Sequence, residues 1–232
     1  MSLSAEAGQT YYFQVGSLYD PPGWLSFSLD VAALPNVDFG YSPGDPSIYD
    51  TVNFFAGCWD PAEIGIEREL WDLGDGTVEE GCCPSHRYAA DADYTVTLTC
   101  TTFDGRSGTG VKTIPVRTHD VAITRFATPK AAKAGQTRQL SVEVKNDRYE
   151  EPVRVELARG TPWGFEYVGS LIQVVPVRGG NRTTVFAFSY TFTSADADMG
   201  KVTFRATAYP QNARDALPAD NEAIASPTKV SP

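Results

Sequence analysis

The amino-acid sequence predicts an all-β protein, and its composition, its short alternating segments and its turn residues each support this fold class. The 232 residues include 20 Val, 22 Thr and 12% aromatic residues, whereas Lys occurs only six times. β-Branched and aromatic side chains suit a pleated, half-buried surface, so this composition favours strands. The 42% hydrophobic content supplies enough apolar material for the cores of one large or two ordinary domains.

Twelve short segments carry strand patterns, and turn residues bound most of them. In the clearest segment, Tyr94–Thr101, large apolar residues alternate with Thr up to Cys100, which indicates a strand with one face in a core. Asp-Gly pairs at 75–76 and 104–105 and the turn residues 178–181 favour tight reversals. Short strands at this spacing are typical of β-sandwiches. The other predicted strands are Thr10–Val15, Trp24–Val31, Thr51–Ala56, Glu67–Trp71, Gly110–Val116, Val121–Phe126, Gln139–Val144, Val153–Leu157, Ser170–Val175, Thr183–Thr191 and Lys201–Ala208.

Charge is divided unevenly along the chain, which predicts two domains. Residues 1–117 carry 17 acidic and 5 basic side chains, whereas residues 118–232 carry 12 and 14. The acidic first half would repel phosphates, so we expect no nucleic-acid partner. No apolar stretch approaches the roughly 20 residues of a membrane helix, so we expect a soluble chain with no membrane insertion.

Several motifs of the first half resemble the PKD domain family. The segments Tyr49–Phe54, Trp71–Gly76, Pro84–Tyr88, Tyr94–Leu98 and 104–105 follow one another in the order of that family. The second of them reads Trp-Asp-Leu-Gly-Asp-Gly, with Leu in place of the family's Phe. The resemblance covers residues 36–117 and implies an immunoglobulin-like β-sandwich.

The second half resembles the bacterial adhesion-related CARDB module, which is also an immunoglobulin-like sandwich. Asp120–Thr124, Leu140–Asn146 and Pro218–Glu222 carry this resemblance over residues 119–225. The predicted fold class is therefore all-β, with two tandem immunoglobulin-like β-sandwiches at 36–117 and 118–232. Residues 1–35 are expected to form a hairpin around Asp20–Gly23 or the tail of an upstream domain.

Four cysteines, Cys58, Cys82, Cys83 and Cys100, all lie in the acidic half. Their even number and their lack of zinc-site spacing predict disulfides and an oxidising compartment. If 51–58 and 94–100 are the second and sixth strands of the sandwich, Cys58 and Cys100 approach each other across the core. Two bridges that each use one of the adjacent pair are the alternative, and a direct link between those neighbours would strain the backbone. Sequence alone does not choose among the three connectivities.

No catalytic signature is present in the sequence, so we expect no enzymatic activity. The chain has no Gly-x-Ser-x-Gly elbow, Walker loop, dinucleotide fingerprint or H-E-x-x-H pair. We interpret the two histidines, His86 and His119, as structural. A hydrolase site near His119 is the remaining enzymatic alternative.

Two kinds of candidate binding residue stand out. Asp60, Asp72 and Asp75 are candidates for calcium ligands, with turn formation as the alternative role. No other cofactor is expected. Trp59 and Trp163 lie near Pro residues in predicted loops and are candidates for ligand contact, because sugar faces pack on exposed rings.

These features predict a non-catalytic fragment of a secreted or cell-surface bacterial protein. It would act as a spacer and as a protein- or glycan-interaction module. Its expected partners are other domains of the same chain, surface proteins or polysaccharide. The alternative is a carbohydrate-binding accessory module of a secreted polysaccharide-degrading enzyme.

Overall fold

The computed structural model describes residues 9–14, 16, 31–146, 148–177 and 182–232. Strands make up 56% of the described residues and helices 4%, so the prediction of an all-β protein is confirmed. The chain forms two compact units, each built as an immunoglobulin-like β-sandwich. Unit 1 contains the described residues up to 46 together with 50–116, and unit 2 contains 47–49 and 117–232.

Part of the predicted N-terminal structure is absent or lies outside the described residues. Residues 10–14, where the sequence predicts a strand, carry no regular secondary structure, and their side chains are exposed. A pattern of side chains that repeats every two residues does not make a stable strand unless a neighbouring strand pairs with it. The hairpin around Asp20–Gly23, the segment at Trp24 and the turn at 178–181 lie outside the described residues.

Unit 1 is a sandwich of two antiparallel sheets. Its strands are β1 (Asn36–Ser42), β2 (Val52–Trp59), β3 (Ile66–Asp72), β4 (Val78–Glu80), β5 (Ser85–His86), β6 (Ala92–Thr102) and β7 (Ser107–Val116). One sheet has the order β1-β2-β5 and the other has the order β4-β3-β6-β7. In β6 the residues Val96, Leu98 and Cys100 are fully buried, as the alternation with Thr predicts.

Trp71, the last residue but one of β3, is the largest side chain in the core of unit 1 and is fully buried. Its ring packs edge-on against Phe39 with 5.1 Å between the ring centroids, and it also contacts Phe54 at 5.6 Å. The indole N–H donates a hydrogen bond to the carbonyl oxygen of Gly81 at 2.8 Å. The Trp-Asp-Leu-Gly-Asp-Gly motif therefore has an architectural role, as its residue types predict.

Unit 2 has two larger sheets around one core and a third, smaller sheet. Its strands are β8 (Val121–Ala127), β9 (Ala131–Lys133), β10 (Thr137–Asn146), β11 (Glu151–Thr161), β12 (Gly164–Val175), β13 (Thr184–Thr191), β14 (Lys201–Val202), β15 (Phe204–Pro210), β16 (Glu222–Ile224) and β17 (Thr228–Ser231). The larger sheets have the orders β13-β10-β8 and β12-β11-β15-β16, and the small sheet has the order β14-β17-β9. A short helix, α1 (Ser194–Asp198), and a 3-10 turn at Pro218–Asp220 follow β13 and β15.

The core of unit 2 is formed by inward-facing residues of both larger sheets. Val153, Val155 and Leu157 of β11 are fully buried and alternate with half-buried residues. Phe186 of β13 and Phe204 of β15 belong to the same cluster. Because alternate residues of a strand face opposite sides, the other residues of β11 and its neighbours form an outer sheet face.

Candidate functional site

The outer face of the sheet β12-β11-β15-β16 carries several large exposed side chains in register. Arg154 of β11 pairs with Ile172 on β12 and with Tyr209 on β15. Ala158, four residues further along β11, pairs with Tyr167 and Arg205. These cross-strand rows place apolar and aromatic groups of three strands on the same surface.

The hairpin that joins β11 and β12 extends this surface with Trp163 and Phe165. Trp163 is 97% exposed, and its backbone N–H donates a hydrogen bond to Thr161 Oγ1 at 3.3 Å. The Thr161 hydroxyl in turn donates to the carbonyl oxygen of Gly164 at 3.0 Å. Gly164 has φ of 132°, a conformation that a side chain would disfavour. The turn thus holds the Trp163 ring out into solvent.

We call the following seven residues the aromatic face: Arg154, Trp163, Phe165, Tyr167, Ile172, Arg205 and Tyr209. Tyr167 is 62% exposed and Ile172 is 60% exposed. The Arg205 guanidinium lies 4.6 Å from the centroid of the Phe165 ring, and that of Arg154 lies 5.5 Å from the Tyr209 ring. These cation–π contacts hold rings and guanidinium groups in fixed positions on the exposed sheet.

Polar groups are interspersed among the rings of the aromatic face. Tyr167 donates a hydrogen bond to Ser170 Oγ at 3.1 Å. Arg154 forms an ion pair with Glu156 at 3.4 Å, and Arg205 lies 3.7 Å from a carboxylate oxygen of Glu222. A mixture of exposed apolar rings and partly satisfied polar groups can bind a ligand by ring stacking together with hydrogen bonds.

The sequence predicts Trp163 as a contact residue, but the rest of the aromatic face is missing from that prediction. A register shift between Leu157 and Ala158 marks a bulge in the pairing of β11 with β12. After the bulge, Phe165 and Tyr167 share the outer face with Ile172, whereas strict alternation would place them on the inner face. The sequence carries no signal for this shift.

Trp59, the second predicted contact residue, is the last residue of β2 in unit 1, so its predicted position in a loop is wrong; the residue is 61% exposed. It is followed by Asp60, whose carboxylate is buried. The two tryptophans therefore belong to different units, and the aromatic face includes only Trp163.

Asp60, the first of the predicted calcium candidates, organises a turn and pairs with Arg106. Its two oxygens accept hydrogen bonds from the backbone N–H groups of residues Ala62, Ile64 and Gly65 at 2.8 to 3.2 Å. They also accept two bonds from the Arg106 guanidinium, at 2.8 and 3.0 Å. The hydrogen bonds from Arg106 have the largest effect, and together with the backbone bonds they hold the pKa of Asp60 well below its ordinary value.

Asp72 and Asp75 also stabilise turns. Asp72 accepts a bond from the Gly74 N–H at 2.9 Å, and Asp75 accepts one from the Thr77 N–H at 3.0 Å. Asp75 also lies 2.7 Å from Nε2 of His86. Burial raises the pKa of Asp75, but the bonds from His86 and Thr77 outweigh it, so the pKa lies below its ordinary value. The turn-forming role considered for these residues matches the observed contacts.

Within the described ranges, the structure does not gather Asp60, Asp72 and Asp75 into a shared group. It does bring together a ligand atom from each of Asp120, Asp215 and Asp220, all within 4.8 Å of one another. Asp120 lies about 95 residues before Asp215 and Asp220 in the sequence, so the sequence alone does not predict this cluster. Asp215 accepts bonds from the backbone N–H groups of Val121 and Leu217, at 3.0 and 2.8 Å, so the carboxylate has a structural role in joining these segments.

Both histidines pair with carboxylates. Besides its contact with Asp75, His86 packs edge-on against the Tyr88 ring at 4.8 Å. His119 Nδ1 lies 3.1 Å from Oε2 of Glu151, a buried residue whose pKa is raised by its burial. These contacts agree with the structural interpretation of both residues.

Cys58 and Cys100 form a disulfide, with 6.3 Å between their Cα atoms, which confirms that this domain contains a disulfide. Cys82 and Cys83 are exposed and unbonded. The expectation that all four cysteines form disulfides is therefore not met in this structure. Adjacent Cα atoms are only about 3.8 Å apart, and the partners needed for two longer bridges are already joined to each other.

Comparisons with known proteins relate the first half of the chain to a family. Residues 35–117 match the family model described as PKD domain. Two solved structures are similar: the PKD1 domain of Vibrio anguillarum Epp has 25% identity and a TM-score of 0.34, and covers 38% of this chain and 98% of its own. The PKD1 domain from Vibrio cholerae metalloprotease PrtV has 29% identity and a TM-score of 0.34, and covers 37% of this chain and 100% of its own.

A third similar structure concerns the promiscuous specificity of carbohydrate-binding modules from the β-sandwich superfamily. It has 17% identity and a TM-score of 0.37, and covers 71% of this chain and 86% of its own. No curated protein matches the chain. No helix among the described residues is long and apolar enough to cross a membrane. The CARDB resemblance of the second half stays a prediction, whereas residues 35–117 carry the sequence pattern of the PKD domain family.

Proposed function

We propose that this chain is a non-catalytic interaction module of a secreted or cell-surface bacterial protein, and that the aromatic face of unit 2 is its contact surface. The proposal takes residues 36–117 and 118–232 as two domains and residues 1–35 as a hairpin or the tail of an upstream domain. Its partners would be surface proteins, polysaccharide or other domains of the same chain.

The observation that carries this proposal is the exposure of Trp163, Tyr167 and Ile172 on one sheet surface. The opposite surface of the same sheet is packed into the core, so these side chains are not needed there to exclude water from the fold. Apolar groups that are clustered and rimmed by polar residues mark interaction sites. Tryptophan, tyrosine and arginine are also the residue types enriched at the energetic centres of interfaces.

The disulfide supports the extracellular part of the proposal. Cys58 and Cys100 are bonded inside the sandwich, and structural disulfides of this kind form and persist in oxidising compartments. The uneven charge of the two halves fits two domains with separate surfaces.

A glycan is the ligand that the chemistry of the aromatic face favours. The flat rings of Trp163 and Tyr167 offer stacking surfaces for the apolar faces of sugar rings. Arg154, Arg205 and Ser170 supply donors and acceptors for sugar hydroxyl groups.

The same surface supports a second candidate, a carbohydrate-binding accessory module of a secreted polysaccharide-degrading enzyme. In that case the module would hold a catalytic domain near an insoluble polymer. The position of Trp163 at a hairpin tip favours this candidate, because a projecting ring reaches the flat surface of a polymer.

Retention of the purified chain on insoluble chitin, cellulose and peptidoglycan tests the proposal. We expect retention on at least one polymer, with loss in Trp163→Ala and in Tyr167→Ala. Phe103→Ala, which removes an exposed aromatic ring of unit 1, is the matched control and should leave retention unchanged. Trp59→Ala tests the other predicted contact residue. Equal retention of the wild type and the Trp163 and Tyr167 variants would contradict the assignment of the face, and turnover of glycoside, peptide or ester substrates would contradict the non-catalytic role.

A further inference from the structure

Cys82 and Cys83 form an exposed pair of thiols in the segment between β4 and β5 of unit 1. Their Sγ atoms lie 2.7 Å apart. A disulfide bond is about 2.0 Å long, so closing a bond between these sulfur atoms requires a movement of less than ~1 Å. Both sulfur atoms belong to exposed residues, so a small reagent in solution can reach them.

The backbone on either side of the pair is fixed by both sheets of the sandwich. Gly81 donates its N–H to the carbonyl oxygen of Glu69 at 3.0 Å and accepts the indole N–H of Trp71 at 2.8 Å. Cys82 accepts a hydrogen bond from the Ala56 N–H at 3.0 Å. The carbonyl oxygen of Pro84, the next residue after the pair, accepts the Phe54 N–H at 2.9 Å. Four hydrogen bonds to neighbouring strands therefore fix the backbone that carries the two thiols.

We propose that Cys82 and Cys83 are a redox-active modification site that closes to a vicinal disulfide by exchange with a low-molecular-weight disulfide. In the first step one thiolate attacks a sulfur atom of the reagent, which forms a mixed disulfide and releases one reagent thiolate. In the second step the neighbouring thiolate attacks the protein sulfur of that mixed disulfide and releases the second reagent thiolate. The two protein thiols are oxidised, the reagent is reduced to two thiols, and the two protons end on those thiols.

The two disulfides of unit 1 would then differ in how easily they are reduced. The Cα atoms of Cys58 and Cys100 are 6.3 Å apart, within the usual range for a bridge, and Cys100 is fully buried. Neighbouring residues have Cα atoms only about 3.8 Å apart, below that range, and the resulting ring is exposed to solvent. Exposed disulfides between residues with short Cα separations are the labile ones, whereas bridges that are shielded from solvent resist reduction.

The pH dependence of ring closure follows from the environment of Cys83. The close contact with Cys82, the partial desolvation of the sulfur atom and the nearby Glu69 carboxylate raise the pKa of this thiol. Because the thiolate is the reacting species, we expect closure to be faster at pH 9 than at pH 7.

Exchange with glutathione disulfide, followed by alkylation with iodoacetamide and mass spectrometry, tests the proposal. The chain is first treated with a mild reductant, and cleavage after Arg68 and Arg87 gives a peptide, residues 69–87, that contains Cys82 and Cys83 and no other cysteine. After exchange we expect the wild-type peptide to lose two hydrogen atoms in mass and to take up neither glutathione nor an alkyl group. The Cys58–Cys100 bridge should stay intact under the same conditions.

The single variants Cys82→Ser and Cys83→Ser separate ring closure from other reactions. Each lacks the second nucleophile, so each should accumulate a mixed disulfide with one glutathione. The proposal would be overturned if the wild-type peptide retained bound glutathione, formed disulfide-linked dimers or remained fully open to alkylation. Retention on polysaccharide is a separate readout, so this result is independent of the function proposed for unit 2.

Discussion

The carboxylate of Asp60 and the guanidinium of Arg106 form a two-bond ion pair, with oxygen–nitrogen distances of 2.8 and 3.0 Å. The two residues are separated by 46 positions, so their pair joins the turn after β2 to the turn between β6 and β7. Arg106 also binds Asp104 at 2.9 Å. The pair is almost fully shielded from solvent and therefore differs from the surface ion pairs of unit 1.

We expect Arg106→Ala to destabilise unit 1, because it leaves the carboxylates of Asp60 and Asp104 without their cation. The matched control is Arg68→Ala, which removes an ion pair with Glu80 whose side chains are about half exposed. An exposed pair of that kind contributes about 0–1 kcal/mol. Denaturant unfolding of the two variants checks the prediction, and an equal loss in both would contradict a structural role for the Asp60 pair.

The disulfide between Cys58 and Cys100 should contribute strongly to the stability of unit 1. It closes a loop with a sequence separation of 42 residues. A loop of that length corresponds to about 3–4 kcal/mol in the chain-entropy model. We expect the Cys58→Ala and Cys100→Ala double variant to lose this amount in urea unfolding. A loss below ~1 kcal/mol would show that the bridge does not constrain the unfolded chain in this way.

Truncation of Trp71 and of Trp163 should change the unfolding free energy to very different extents. Trp71 is fully buried and donates a hydrogen bond to Gly81, so Trp71→Ala should cost about 3–5 kcal/mol of the unfolding free energy of unit 1. Trp163 is almost fully exposed, so Trp163→Ala should change the unfolding free energy of unit 2 by less than ~0.5 kcal/mol. Thermal and urea unfolding measure both values. A large loss in Trp163→Ala would assign that ring to the fold rather than to a ligand.

The stability of unit 2 should decrease at alkaline pH through Tyr190. Its hydroxyl donates a hydrogen bond to the buried Asp196 carboxylate at 2.8 Å. Burial and this bond raise the pKa of Tyr190 to about 12, compared with ~10 in an unfolded chain. The folded state holds the phenolic proton more tightly, so this contribution to stability is fully present below pH ~10 and is lost as the pH rises through the folded pKa.

The variant Tyr190→Phe isolates that effect from other groups that titrate at alkaline pH. It should lose about 1 kcal/mol at neutral pH, the contribution of one hydrogen bond. Its unfolding free energy should then fall less steeply than that of the wild type between about pH 10 and 12. Urea unfolding across this range checks the difference, and parallel curves would refute the assigned pKa shift.

Local patterns were sufficient to predict the all-β class and several particular residues. The alternation of Thr with apolar residues correctly places Val96, Leu98 and Cys100 in a core, and the motif around Trp71 correctly indicates a PKD-like segment. The structure forms the Cys58–Cys100 bridge and leaves Cys82 and Cys83 unbonded, so none of the three full connectivities is present. These features depend on residue types and on a repeat of two, both of which can be read along the chain.

Features that depend on long-range register could not be predicted in the same way. Asp60 and Arg106 meet because of how two turns are brought together, and no spacing rule relates them. The outward position of Phe165 and Tyr167 depends on the bulge between Leu157 and Ala158, which reverses the faces of β12. The sequence therefore predicts only one member of the aromatic face, Trp163, and the structure adds the other six.

The most direct test of the central claim is an NMR titration in which backbone amide chemical shifts of the isotope-labelled chain are measured. The ligand is a soluble oligosaccharide of the polymer that retains the chain, or a chito- or cello-oligosaccharide. We predict shifts centred on the amides of Trp163, Tyr167, Ile172 and Tyr209, with no comparable change around Trp71. Their loss in Trp163→Ala would support the aromatic face as the binding site. Shifts confined to unit 1, or no shift with any sugar at millimolar concentration, would contradict glycan binding by this face.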